Sequence, residues 1–320
     1  MLVSTRFGGA PQSLSTGVRR KRRGFFGRGL SSREKRLGLA FSLPAIVLFL
    51  LVLAYPIFEN FRSAFYDVDL ARGGANWVGL DNFLEIATDQ NLLRSLGNTL
   101  LWTIGSLAGQ LALGLAAALM IDRPWRGIRW VRQFLLMPYV VPVIASAMVW
   151  QWMLDGNYGV MSAQLQAWGW LPVGGSPLGQ ESTSLLTVTI INIWRGFPFA
   201  MLVYWATLQG IDQAQYEAAM VDGANAFQRF VYVTLPNLAS ATIALLAIRG
   251  LFTLMYFELI WLTTRGGPAG SSDVMSTYLY RVIMGEFRLG YAAAIAVAVG
   301  LFLVLVVALF KVGSRLGARR

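Results

Sequence analysis

The 320-residue chain contains no cysteine and no histidine. The first absence removes disulfides and thiol nucleophiles. The second removes the imidazole that most often ligates zinc or relays protons near neutral pH. No G-x-x-x-x-G-K-[ST] run occurs either, so the chain has no phosphate-cradling loop and is not expected to hydrolyse ATP by itself. These gaps read against an enzyme, and no cofactor is expected on the chain. Charge is scarce too: charged residues make up 13% of the sequence and hydrophobic ones 56%, with a mean hydropathy of +0.54. That balance excludes an ordinary soluble domain and points to an integral membrane protein.

Continuous apolar windows near the roughly 20 residues that span a bilayer run over Leu37–Phe58, Asn98–Ile121, Phe134–Leu154, Leu185–Leu208, Leu238–Thr263 and Tyr291–Phe310. Barrel strands would instead alternate over stretches of about ten residues. The expectation is an all-α bundle of six transmembrane helices, residues 37–320, preceded by a basic, disordered arm over residues 1–36. The first window is longer than the roughly 7–15 residue apolar core of a secretory leader and reads as an uncleaved span. Pro44 and Pro56 in the first window, and Pro138 and Pro142 in the third, are expected to kink their helices.

Of the 27 Lys and Arg residues, 19 fall on one side of this topology: the arm, the Asp122–Gln133 loop, the segment around Tyr216 and the C-terminal tail. The positive-inside rule places that side, including both termini, in the cytoplasm. The net charge of +11 is then explained by anionic lipid at the inner leaflet and does not call for nucleic acid. The arm's Arg19–Gly24 run, RRKRRG, lies among Gly and Ser, as disordered tails do.

Between the fourth and fifth windows lies a polar cassette within 209–236. Asp212 with Gln215 three residues on makes a capping pair for a short helix through Glu217, and Gly223 supplies the freedom to end it. A second helical piece places Phe227, Phe230 and Val231 on one face, and Pro236 is expected to limit it. From spacing alone the cassette reads as a helix lying on the membrane surface.

Its residues change that reading. Glu217, Ala218, Ala219, Asp222, Gly223, Ala224, Phe230, Leu235 and Pro236 resemble the EAA loop of permease subunits of ATP-binding-cassette importers. Ile193–Phe199 (IWRGFPF), Leu262–Arg281, Trp77–Phe83 (WVGLDNF) and Asn98–Thr103 (NTLLWT) are similar to the sugar-importer branch, of the maltose and glycerol-phosphate type. The chain departs from the pattern at Gly210–Gln213, which lacks a Pro, and at Glu258, where many relatives carry Asp. The resemblance implies an alternating-access permease for an oligosaccharide or related polyol in a bacterial or archaeal inner membrane. It implies three protein partners: ATPase subunits that hold ATP and Mg, a second permease subunit and an extracytoplasmic solute-binding protein. In this scheme Glu217 pairs with a basic residue of the ATPase.

Ionisable residues inside spans face a cavity or a partner, so Arg195, Arg249 and Glu258 are candidates for the solute path. The alternative is that Arg195 stabilises the Pro198 kink, Arg249 pairs with an acid of the second permease, and Glu258 sits near the outer interface. Trp194, Phe197, Tyr256 and Phe257 could stack on a sugar ring, although most aromatics in such a chain are packing or belt residues. Two competitors remain: a secondary transporter, which would show internal repeats with charged coupling residues, and a non-transporting scaffold, which leaves the EAA pattern unexplained.

Overall fold

The computed structural model describes residues 32–69 and 73–317. It divides into two compact units, residues 1–57 and 58–320. The chain enters as α1 (Ser32–Phe49), a π-helical turn (Leu50–Ala54) and α2 (Tyr55–Ser63). Residues 1–31 of the basic arm lie outside the described residues. Its last part, from Ser32, is already helical, because Arg33, Glu34, Lys35 and Arg36 are good helix formers that a hydropathy window ends before. The apolar path Ala40–Ser63 is 24 residues long, enough to cross a bilayer. Pro44 sits inside α1, and the π-turn ends just ahead of Tyr55–Pro56. Its wider register accommodates a proline that cannot donate and would crowd the preceding turn.

After α2 the second unit departs from an all-helical reading. Strands β1 (Tyr66–Val68) and β2 (Ala75–Trp77) form an antiparallel hairpin with Tyr66 opposite Trp77. Phe65 stacks on Trp77 at 5.9 Å. Then come α3 (Asp81–Thr88) and α4 (Gln90–Asp122). Asp89, between them, caps α4 by accepting from the amides of Asn91 at 2.9 Å and Leu92 at 3.1 Å. It also accepts from the hydroxyls of Tyr278 and Tyr291. Burial raises this carboxyl, but the two hydroxyls and two amides outweigh it and hold the group below the usual carboxylate range. Asp89 therefore contributes stability that is present above the unfolded-state value, about 3.9, and is lost as pH falls through the lower folded value. Asp89→Asn keeps a capping oxygen and removes the charge. The melting-temperature gap between wild type and Asp89→Asn is expected to be widest near neutral pH and to close below about pH 4; a gap independent of pH would refute this.

Helices α5 (Ile128–Val140) and α6 (Val143–Met153) share the third apolar window but meet at 96°. The cause is local: Val141 precedes Pro142 and is held extended, with φ −66° and ψ 129°. Pro138, by contrast, is carried inside α5. A loop bearing α7 (Val160–Ala167) leads to α8 (Ser184–Leu208).

The core is the long α4–α8 pair. The two helices run parallel, with Gly105 facing Thr189, Gly109 facing Ile193 and Gly114 facing Ala200. Small residues at this spacing let backbones approach closely in lipid, where packing rather than water exclusion drives association. A Cβ on Gly114 would come within 2.6 Å of the Ala200 Cβ and 2.9 Å of the Met201 backbone nitrogen. Around this seam Ala118, Ile121, Met201, Tyr204, Leu238 and Leu245 are buried together at one end, and Trp102, Val188, Ile191, Leu259 and Ile260 at the other.

Beyond α8 come α9 (Gln213–Val221), α10 (Ala226–Arg229), a second π-turn (Phe230–Thr234) and α11 (Leu235–Leu254). Pro236 does not end a helix here. Ala226–Leu254 is one apolar path of 29 residues, and the π-turn again directly precedes the Xaa–Pro pair, Leu235–Pro236. The fifth window is too long at its other end, since α11 stops at Leu254 and a turn leads into the separate α12 (Glu258–Thr263). Last are α13 (Met275–Met284) and α14 (Leu289–Gly317). Gly290 lets α14 reach the hairpin, since a Cβ there would lie 1.9 Å from the Tyr66 carbonyl oxygen.

Among the described residues four helices are long and apolar enough to cross a membrane, or five if the bent α5–α6 pair counts as one. The sixth window falls on α14, where Leu289–Phe302 is a shorter apolar helix.

Candidate functional site

Two arrangements in the second unit carry chemistry that packing alone does not require. The first is the helix–turn–helix of 209–236. Asp212 caps α9 by accepting from the Ala214 amide at 3.0 Å. Gln215 is not its capping partner. Its side-chain oxygen accepts from Asn237 at 2.9 Å, and the Tyr216 hydroxyl meets the Thr234 hydroxyl at 3.0 Å. These two ties hang α9 on the start of α11. The sequence pattern of a capping box is satisfied instead at the start of α10, where Asn225 and Gln228 bond each other's amides at 2.8 and 2.9 Å.

Gly223 ends α9 at φ +76°. Its amide donates to Met220 at 3.0 Å and the Ala224 amide to Ala219 at 2.9 Å. That pair of bonds is a Schellman motif, which needs the left-handed residue that glycine supplies most cheaply. The outward side of this unit is largely exposed. Glu217, Ala218, Asp222 and Leu235 are exposed, Val221 is 89% and Phe227 74% exposed. Phe230, Ala219 and Ala224 are partly covered, and Pro236 is exposed. No ion pair among the described residues includes Glu217.

The second arrangement is a polar chain across the middle of the α4–α8–α11 bundle. The Asn192 amide donates to the Ser106 hydroxyl at 2.9 Å, and the Gln110 amide donates to the Asn192 carbonyl at 3.2 Å. The Gln110 oxygen accepts a fork from Arg249, Nε at 3.1 Å and Nη2 at 2.9 Å. Gln110 is 1% exposed. Gly196 is what lets them meet, because a Cβ there would lie 2.4 Å from the Gln110 amide and 2.5 Å from Arg249 Nη2. Beside it Arg195 Nη1 donates to the Tyr256 hydroxyl at 3.1 Å, and its Nε is buried without a partner. Neither arginine has a carboxylate partner among the described residues.

The candidates for the solute path therefore separate. Arg195 and Tyr256 come together, and Arg249 joins Gln110 next to them. Trp194 sits edge-on to Trp150 at 5.5 Å. Phe257 belongs to an aromatic group with Trp261 and Tyr280, at 5.5 and 5.1 Å. Glu258 is exposed at the start of α12 rather than inside a span. Sequence reasoning passed over Gln110, Ser106 and Asn192. The available signal was Ser106 and Gln110 at i, i+4 in an apolar run, one helical face carrying two groups that need partners.

The profile of the family described as binding-protein-dependent transport system inner membrane component matches residues 110–315. The trehalose/maltose transport system permease protein MalF of Thermococcus litoralis is 31% identical over 285 residues, 89% of this chain and 96% of its own length. The sulfoquinovosyl glycerol transport system permease protein SmoG of Agrobacterium fabrum is 29% identical over 272 residues, 84% of this chain and 87% of its own. Among solved structures, a chain of a bacterial ABC transporter involved in import of the acidic polysaccharide alginate superposes with a TM-score of 0.75 at 27% identity, covering 88% of this chain and 96% of that one. A second structure, of the alginate transporter in complex with an alginate pentasaccharide-bound periplasmic protein, gives 0.71 over 87% and 93%.

Proposed function

Since the chain belongs to the family of binding-protein-dependent transport system inner membrane components, we propose that it is the permease subunit of an ATP-driven importer for an oligosaccharide or related polyol. It is a multi-pass inner-membrane protein. In this proposal it has six spans, with both termini and the 209–236 loop in the cytoplasm. The names of its relatives, which concern trehalose and maltose, sulfoquinovosyl glycerol and alginate, support a carbohydrate solute.

The observation that carries the reading is the loop itself, a stiff hairpin of helices that holds an unpaired Glu217 and the apolar Val221 and Phe227 outward. A flexible loop would dissipate an applied displacement. This one is tied to α11 at two points, so force on α9 reaches the bundle. Its natural counterpart is a groove on an ATPase subunit with a basic residue opposite Glu217. ATP and Mg stay on that subunit. Closure of the ATPase pair would then bias one membrane arrangement over the other, turning the solute site from outside to inside between this chain and a second permease. A periplasmic solute-binding protein delivers the solute, as the complex of the alginate transporter supports. Arg195, Tyr256 and Arg249, the last held by the buried Gln110, with Trp194 beside them, are the candidate lining; Phe257 and Glu258 lie toward its outer end.

The test is the purified complex, assembled from this chain and its co-expressed neighbours, in wild type and Glu217→Ala. Solute-stimulated ATP hydrolysis is expected to fall about tenfold, equivalent to about 1.4 kcal/mol of coupling, with the complex still intact on size exclusion. Uptake that continues without any ATPase would favour gradient-driven transport and refute the proposal.

A further inference from the structure

From Gly156 to Gln180, between α6 and α8, the chain carries no Asp, Glu, Lys or Arg. Loops at the water boundary of a protein ordinarily turn polar side chains outward. In this segment both serines and one glutamine turn inward instead. Ser162 and Ser176 both donate inward to the Leu154 carbonyl, at 2.7 and 2.6 Å. The Gln166 amide ties the Gly156 and Gly175 carbonyls together at 2.9 and 3.0 Å. Gly156 packs so closely on the returning strand of chain that a Cβ would lie 2.1 Å from the Gly174 oxygen. The result is a cross-braced slab in which both serines and Gln166 are spent internally, while Asn157, Tyr158 and Gln164 stay exposed.

Its outward side is apolar and aromatic. Trp168 and Trp170 stand edge to face at 5.5 Å, Trp170 is 74% exposed and Val173 97%. Residues Val160, Ala163, Gln164 and Ala167 make the exposed face of α7, again without charge. The slab is also continuous with a span surface. On α6 the exposed residues Ile144, Met148 and Trp152 run at i, i+4 and i+8 directly toward it. Charge returns only at its edges, with Asp155 before it and Glu181, paired to Arg94 at 3.8 Å, after it.

We propose that the Gly156–Gln180 slab is an interfacial anchor seated in the headgroup region of the bilayer, at the end of α8 opposite the 209–236 loop, with Trp168, Trp170 and Val173 facing lipid. The inference rests on α8 and the α5–α6 pair being membrane spans and is independent of which solute is carried. Three observations select lipid over a protein occupant. The slab begins and ends where spans end, which fixes its depth. Its tryptophans join an apolar ring to one N–H donor, the combination that suits the water–lipid boundary. It offers no charge by which a soluble protein would be steered and oriented. An anchor of this kind holds the α6–α8 connection at constant depth while the spans rock beneath it.

The absence of cysteine makes the test direct. Val173→Cys and, as the aqueous reference, Ser182→Cys, both at exposed positions, are labelled with a nitroxide in the complete transporter assembled with cysteine-free partners. The complex is reconstituted in phosphatidylethanolamine/phosphatidylglycerol vesicles. The oxygen-to-nickel accessibility ratio is expected to be several-fold higher at position 173 than at 182. Adding Trp168→Ser with Trp170→Ser should move the label at 173 toward the aqueous value. A water-like ratio at 173, or shielding from both reagents as a bound protein would produce, overturns the proposal. Solute-stimulated ATPase of the unlabelled complex reads the transport function separately, so a failure of one is distinguishable from a failure of the other.

Discussion

Gly114→Leu is expected to abolish recovery of folded, monodisperse protein. The α4–α8 seam brings the Ala200 Cβ and the Met201 backbone nitrogen to within 2.6 and 2.9 Å of where a Cβ would stand. A flexible side chain could swing away, but a backbone nitrogen in the middle of α8 cannot. Overpacking that a core tolerates costs about 1–3 kcal/mol. Here two long helices packed along their length would have to separate, and the Met201, Tyr204 and Leu245 cluster on their flank would open with them. Gly114→Ala should be milder and be partly restored by Ala200→Gly, which removes the nearer obstacle and leaves the backbone one. Size-exclusion yield and melting temperature in detergent measure both. A Gly114→Leu protein that melts within about 2 °C of wild type, a shift worth only about 1 kcal/mol in a chain of this length, would mean that the seam has room for the side chain.

Gln110→Leu is expected to damage the protein more than the double variant Gln110→Leu/Arg249→Leu. The single change leaves a guanidinium beside α8 without its acceptor; the double change removes both needs together. Hydrogen bonds to charged groups are worth about 1.5–3 kcal/mol, and an orphaned buried partner costs on that order. Arg249→Leu strands the Gln110 oxygen, which is almost wholly buried. Arg249→Lys keeps the charge but loses the planar two-nitrogen fork on Gln110 and should fall between. A double-mutant cycle on melting temperature isolates the pair. In vesicles, uptake by Arg249→Leu is expected to drop at least about tenfold, some 1.4 kcal/mol, if the polar chain lines the solute path. Additive single effects would show that the two side chains act independently, and unchanged uptake would remove Arg249 from the path.

The two π-turns illustrate how far local sequence carries. Each ends immediately before an aromatic or aliphatic residue followed by proline, Tyr55–Pro56 and Leu235–Pro236. Proline was legible as an interruption at Pro142, where the preceding Val141 turns extended and the axis bends by 96°. It was not legible at Pro236, where the same chemistry is absorbed by widening one turn so that α10 and α11 remain one path. Nothing within a few residues distinguishes the two outcomes. The neighbours do: Thr234 and Asn237 of that path are bonded to Tyr216 and Gln215 on α9 and hold the helix in line.

The amino-acid sequence by itself determined the membrane class, most of the spans and the helix–turn–helix of the 209–236 loop, though neither its first capping pair nor the outcome at Pro236. Each of these depends on runs, periods and caps within one segment. Apolar length sets a span, and Gly223 alone can close α9 with a left-handed residue. Tertiary structure alone decided which polar groups meet. Gln110 and Arg249 are 139 residues apart and join only because α4, α8 and α11 converge where Gly196 leaves room. It also decided that the fifth apolar window stops at Leu254 and that the uncharged Gly156–Gln180 segment turns its serines inward and its tryptophans out. The physical reason is the same in each case. A buried hydrogen bond or a close backbone contact is a property of two distant segments at once, and no periodicity within either one records its partner.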